Sequence, residues 1–231
     1  TWDLLAATQL VDTPFLATLT AKDGFDNPVT NFQAPVTLSG LVSSLDFDIG
    51  SGGDTWEYPM GAYYHDQRLQ AIYLASEIGV PVRISALSLY VATPPPQKLN
   101  GWTIRLKHTA LDRFSRAEWE DAGWTTVYQR DEAVLDTGWV TFNFSAPFEF
   151  NGSDNLMLDL SFDNASYTTN GLCLSTPTAE ARSLVFRTDS GFGNPLAWRG
   201  RSPPATASRR ILNIRLSTET VAAMSPTVVS N

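Results

Sequence analysis

Apolar and polar residues alternate through most of the middle of the chain. Trp102, Ile104, Leu106 and His108 share one parity, and Thr103, Arg105 and Lys107 take the other. Val140, Phe142 and Phe144 alternate with Thr141, Asn143 and Ser145. Leu156, Leu158, Leu160 and Phe162 alternate with Met157, Asp159, Ser161 and Asp163. Leu87, Leu89 and Val91, and near the end Leu212, Ile214 and Leu216, repeat the pattern. A period of two sends successive side chains to opposite faces, so each run predicts a half-buried β-strand. Turn formers separate the runs: Pro94-Pro95-Pro96, Asn151-Gly152-Ser153-Asp154, Asn170-Gly171, Gly191-Phe192-Gly193-Asn194-Pro195 and Ser202-Pro203-Pro204. Many short strands bounded this way predict an all-β fold, a two-sheet antiparallel β-sandwich.

One stretch departs from alternation. Ser115-Arg116-Ala117-Glu118 has capping-box spacing and Gly123 follows as a C-terminal stop, which predicts one short helix near 115–122 on a loop outside the sandwich. The segment from Arg68 to Glu77 suits either period, and the following Gly79-Val80-Pro81 with its aromatic neighbours favours a strand. On a strand Arg68 and Glu77 face opposite ways, so each needs its own partner if buried.

Composition narrows the class. With 43% hydrophobic and 17% charged residues the chain folds rather than staying disordered. A net charge of −8 makes nucleic acid a poor partner. No apolar run has the length of a membrane span. The chain opens on Thr1 and is read as a mature or excised piece. The single cysteine, Cys173, forms no internal disulfide, and its setting Leu172-Cys173-Leu174 predicts a buried, inert thiol.

Catalytic constellations are thin. His65 and Asp66 are sequence neighbours, which on a strand point apart, and His108 sits on an apolar parity and reads as a core-edge residue. No G-x-S-x-G, H-E-x-x-H or phosphate loop is present. Glu57, Asp66, Glu77, Glu118 and Glu120 leave a glycosidase carboxylate pair open, since spacing alone does not exclude one. The expectation is a non-enzyme. Two histidines and one cysteine match no zinc spacing. Asp46, Asp48 and Asp54 lie in a Gly-rich stretch that offers several oxygens on a flexible chain, a candidate structural calcium site whose other reading is a solvated linker. Asp159, Ser161, Asp163 and Asn164 make a second acidic candidate.

Seven tryptophans and seven tyrosines can fill a core or stack on sugar. Trp56, Tyr58, Tyr63 and Tyr64 cluster in a Gly/Pro-rich context, with Asp66, Gln67 and Arg68 beside them to bond hydroxyls. The group reads either as a ligand platform or as a plug for one end of the sandwich. Trp124, with Trp119 and Trp198, forms a further loop set, whereas Trp102 and Trp139 read as core.

Two resemblances add to this. Thr13-Pro14-Phe15, then Thr18-Leu19-Thr20-Ala21-Lys22-Asp23-Gly24-Phe25-Asp26-Asn27, Phe32 and Val36-Thr37-Leu38-Ser39 resemble bacterial Ig-like repeats of surface proteins. The Asp-x-x-x-Asn element fits a hairpin, because Asp and Asn satisfy turn amides and tolerate left-handed φ. Residues 56–216 are similar to a jelly-roll-like accessory module of large bacterial extracellular proteins. The marks are Trp56-x-Tyr58-Pro59, Tyr63-Tyr64-x-Asp66-x-Arg68-x-Gln70-x-Ile72-Tyr73, Trp102-Thr103-Ile104-Arg105-Leu106-x-His108-Thr109, Gly123-Trp124-Thr125-x-Val127-Tyr128, Gly138-Trp139-x-Thr141-Phe142 and Pro147-Phe148-x-Phe150-Asn151-Gly152. That resemblance implies a non-catalytic role outside the cell.

The resulting organisation is a partial Ig-like domain over 1–45, a jelly-roll-like sandwich over 46–216 inserted into it, and a return strand over 217–231. The alternative is one large sandwich to which 1–45 adds edge strands. The expected function is carbohydrate binding, with a polysaccharide or glycan as partner, in a secreted or cell-surface protein. Its rival is a structural or adhesive module whose Ig-like strands pair with neighbouring copies into a fibre or surface layer.

Overall fold

The computed structural model describes residues 18–32, 39–41, 45–189, 191–219 and 221–223, with the backbone alone at 39–41, 219 and 221–223. The Ig-like motif residues at 13–15 and 36–38 and residues 224–231 of the return strand expected over 217–231 lie outside the described residues. The chain divides into two compact units, Thr1–Ser39 with Ala223–Asn231, and Gly40–Ala222. In the first, Asp23 Oδ1 accepts the Phe25 and Asn27 amides at 2.8 and 3.0 Å, and Asp26 takes the left-handed φ of 68°. A bridge between Lys22 and Pro28 closes this turn as a small hairpin.

The second unit carries two antiparallel sheets. One joins β2 (Leu45–Ile49), β3 (Asp54–Trp56), β5 (Val82–Thr93), β8 (Gly138–Phe150), β10 (Leu172–Pro177), β13 (Arg210–Leu212) and β14 (Ile214–Glu219). Its order is β13-β10-β5-β14-β2, with β8 paired to β5 and β3 paired to β10. The other joins β4 (Asp66–Tyr73), β6 (Leu99–Thr109), β7 (Thr125–Glu132), β9 (Asn155–Asp163), β11 (Ser183–Thr188) and β12 (Thr206–Ser208), in the order β12-β11-β4-β9-β6-β7. A short ribbon pairs β1 (Ser39–Leu41) with β15 (Val221–Ala223).

Alternation builds the core. Leu69, Ala71 and Tyr73 of β4 with Leu156, Leu158, Leu160 and Phe162 of β9 meet Leu87, Leu89 and Val91 of β5 and Ile214 and Leu216 of β14. Each such side chain removed from water contributes roughly 1.5–3 kcal/mol before ordering costs. Trp102 and Cys173 join this core, and burial pushes the Cys173 thiol up to about 12.

The six-stranded sheet is covered on its outer face as well, so all eight residues of β4 are buried. Ile72, Met157 and Leu184 point outward into a second apolar cluster with Phe114, Trp119 and Trp198, which come from two long loops. This covering explains a departure from expectation. No helix forms near 115–122, because the Trp119 amide and carbonyl are taken by Gly200 at 2.7 and 3.2 Å while its ring is buried on the sheet. The capping-box Glu118 bonds Arg201 instead. The short helix of this unit, α1 (Ala75–Ile78), follows β4 directly. Glu77 accepts the Leu74 amide at its start, and Gly79, with φ 86°, closes its end.

Candidate functional site

The Trp56–Tyr64 group splits. Trp56 and Tyr58 are buried, 5.2 Å apart, in the main core. Tyr63 is 54% exposed and Tyr64 half-buried, so this part of the group faces solvent at one end of the sandwich. Trp56 and Tyr58 thus belong to the core, and Tyr63 and Tyr64 lie at its solvent-facing edge.

The loop that carries Tyr63, Tyr64 and His65 is laced to the loop after β9. Thr168 donates its amide to the Ala62 carbonyl at 2.7 Å, Asn164 to His65 at 2.8 Å, and Gly171 to Met60 at 2.8 Å. Asn170 Oδ1 accepts the Tyr63 amide at 3.0 Å. Gly61 is required for this closeness, since a Cβ there would come within 2.8 Å of the Glu57 carbonyl. The lacing brings up Tyr167, 62% exposed, with ring centres 5.9 Å from Tyr63 and 6.1 Å from His65. Tyr63 and Tyr167 are inclined at 59° and Tyr63 and Tyr64 at 76°, so the rings form a corner rather than a flat platform.

Charged groups rim this corner. Asp66 pairs in register with Asp163 on one side and Thr188 on the other. Burial, then the hydrogen bond and charge of Asp163, then Asp189 push the Asp66 carboxyl up to about 7. Arg187 lies 4.7 Å from the Tyr64 ring centre and 5.5 Å from that of Tyr58, and pairs with Glu57 at 3.1 Å. Gln97 donates to the Ser166 carbonyl beside them. The corner thus offers open phenol faces, carboxylates and amides to a polyhydroxylated ligand.

Arg68 and Trp124 do not belong to it. Arg68 is fully buried. Its Nε and Nη2 donate to Asp159 Oδ2 at 2.9 and 2.7 Å, and its Nη1 to the carbonyls of Pro195 and Trp198. Arg68 also lies against the Trp119 ring. It holds the covering loops down and reaches no solvent, so the expected role in bonding a ligand is corrected to a structural one. Glu77 lies beyond the expected strand, on α1, so the opposite-face argument does not apply to it; it pairs with Arg182. Trp124 packs over Arg105 and Lys107, 5.2 and 4.9 Å from their charged groups, and donates to the Glu120 carbonyl. Lys107 pairs with Met157 and Asp66 with Asp163. Those positions are six apart on β9, so Trp124 stands about 20 Å from the tyrosine corner.

The three expected calcium ligands are separately engaged. Asp46 accepts Ser217, Asp48 takes Arg215 through both oxygens at 2.6 and 2.8 Å, and Asp54 faces Arg210 at 3.5 Å. Among the described residues no three His, Cys, Asp or Glu side chains converge as a metal group. In the second acidic candidate, Asp159 is buried under Arg68, and Asn164 Oδ1 accepts the Asn100 amide. Trp139 also departs from its core reading: it is half-exposed on the outer face of the seven-stranded sheet, against Tyr90 and Arg215.

Tyr167, Arg187 and Asp189 complete the corner without having been singled out in the sequence. For Tyr167 a signal existed. It is the lone aromatic in the polar run Asn164-Ala165-Ser166-Tyr167-Thr168-Thr169-Asn170, where no alternation assigns it to a core. Comparison with protein-family models, with curated proteins and with solved structures finds no match for this chain.

Proposed function

We propose that the chain is a non-catalytic carbohydrate-binding module of a secreted or cell-surface protein, built on a jelly-roll-like sandwich. The observation that carries the reading is the exposed corner of Tyr63 and Tyr167, with His65 and Tyr64 behind it. Solvent-facing rings held by a laced double loop suit the apolar face of a pyranose, and the rimming carboxylates and amides suit its hydroxyls. Rings set at an angle grip a single chain rather than a flat crystalline lattice.

The test is affinity electrophoresis of the full chain through gels containing laminarin, xylan, galactomannan or pullulan. Retardation on at least one gel that falls sharply in Tyr63→Ala with Tyr167→Ala supports the reading. Equal mobility on all gels sinks it, and release of reducing sugar from any of them contradicts the non-catalytic part. The rival assembly reading rests mainly on strands outside the described residues. It predicts concentration-dependent growth in size-exclusion chromatography where the binding module stays monomeric.

A further inference from the structure

The two sheets differ in what lies on their outer faces. The loops that bury Trp119 and Trp198 cover the six-stranded sheet. On the seven-stranded sheet the outward residues run as polar rows set by register: Asp46, Ser217, Ala86 and Asn143 in one, Asp48, Arg215, Ser88 and Thr141 in the next. Ser88 and Thr141 hydroxyls bond each other at 2.8 Å, and Arg215 is held by Asp48. The rows end at an aromatic pair, Tyr90 on β5 opposite Trp139 on β8, with ring centres 5.3 Å apart at 78°.

Beyond that pair lies a cleft of about 560 Å³. Its lining is Tyr90, Trp139, Leu174, Asn213, Asp48 and the loop 50–53, whereas Arg215 lies 4.7 Å from the Trp139 ring centre without lining the cleft. The loop reads Gly50-Ser51-Gly52-Gly53, so its rim is nearly all peptide backbone. Its seat is fixed by a closed set of hydrogen bonds. The Gly52 amide donates to Thr176 Oγ1, that hydroxyl to Asn213 Oδ1, and Asn213 Nδ2 to the Gly52 carbonyl, each at 2.7 Å.

The glycines of this loop are required for different reasons. Gly50, with φ 85°, and Gly52 sit where a Cβ would strike neighbours at 2.7 and 2.3 Å. Gly53 has no such constraint: a Cβ there meets nothing within 4 Å, and its φ is not left-handed. Packing does not explain that glycine, but an unobstructed cleft does.

We propose that this cleft is a second glycan subsite, which seats one sugar of a neutral polysaccharide against Trp139 and Tyr90 and bonds its hydroxyls through the backbone of residues 50–53. The proposal rests on the carbohydrate-binding reading and adds to it a place and a charge class. Neutral chains fit because the protein carries −8 overall and Arg215, the cationic side chain at the indole among the described residues, is already committed to Asp48. The two subsites are within one oligosaccharide's reach. Leu174 lines the cleft and Asn170 holds Tyr63, and four residues of chain span at most about 14 Å. A chain engaging both gains by effective concentration.

The experiment uses the same four polysaccharide gels with wild type, Trp139→Ala, Gly53→Leu and the Tyr63→Ala/Tyr167→Ala pair. Gly53→Leu adds bulk to a residue that lines the cleft, at a position where its Cβ meets no neighbour, so it separates blockage from misfolding, and thermal melts verify the fold of each variant. The expected result is retardation of wild type, weakened about five- to tenfold by either cleft variant. Wild-type retardation unchanged in both cleft variants overturns the second subsite and leaves the tyrosine corner standing. Retardation lost in the cleft variants but kept in the tyrosine pair supports the cleft and overturns the corner. No retardation of wild type on any gel overturns both.

Discussion

Arg68 shows how far one side chain can be from the role its neighbours suggest. It is spent entirely inside the fold, and Asp159 Oδ2 takes donors from Arg68, Gln70 and Arg105 together. Removing Arg68 leaves the fully buried Asp159 to Gln70 and Arg105 alone and empties the place that the guanidinium fills under Trp119. Arg68→Ala is therefore expected to lose about 3–5 kcal/mol in urea unfolding, and replacing Arg68 and Asp159 together by Met and Leu to recover most of it. A single replacement costing under about 1 kcal/mol contradicts the buried-pair account. Asp66 gives a pH-dependent counterpart. Its carboxyl is raised from 3.8 to about 7 in the folded chain, so the native state holds a proton that the unfolded chain has released. The stability it contributes is full at low pH and is lost as pH rises through about 7. Melting temperatures at pH 4.5 and 7.5 are expected to fall more for wild type than for Asp66→Asn, and equal slopes sink the assignment.

At the scale of elements, the loops carry the information that alternation lacks. Gly52→Ala is expected to destabilise by roughly 1–3 kcal/mol because its Cβ meets the Ser175 carbonyl at 2.3 Å, while Gly53→Ala stays within about 0.5 kcal/mol. Denaturant curves of the two variants check the contrast, and it fails if the two cost the same. Strands β6, β8 and β9 were legible because each turns one alternating apolar face to the core, although Thr103, Asp159 and Ser161 on the other face of β6 and β9 are buried as well. Strand β4 was harder, since buried Arg68 and Gln70 look polar although the covering loops hide them. The helix near 115–122 was misread because a capping box is a local preference and the Trp119–Gly200 pairing is long-range. The tyrosine corner was half legible. Proximity along the chain pointed to Tyr63, Tyr64 and Asp66, whereas Tyr167 and Asp189 join them only through strand register and loop lacing.

For the whole molecule, the division at Ser39–Gly40 and Ala222–Ala223 makes a mechanical prediction. Brief trypsin digestion of the full chain is expected to leave a stable fragment containing residues 45–219, and first cuts inside that span contradict the unit. Among the described residues the sandwich holds a sheet covered by loops, a sheet whose outer face ends in Tyr90 and Trp139, and an exposed tyrosine corner. Together these support the proposed carbohydrate-binding reading. The most direct measurement is a calorimetric titration of the full chain with the neutral polysaccharide that retards it most in a gel, repeated with Tyr63→Ala/Tyr167→Ala. The account predicts a saturable heat for wild type and at least about tenfold weaker binding in the variant, at unchanged melting temperature. Equal affinity in the two proteins, or no saturable heat in either, contradicts it.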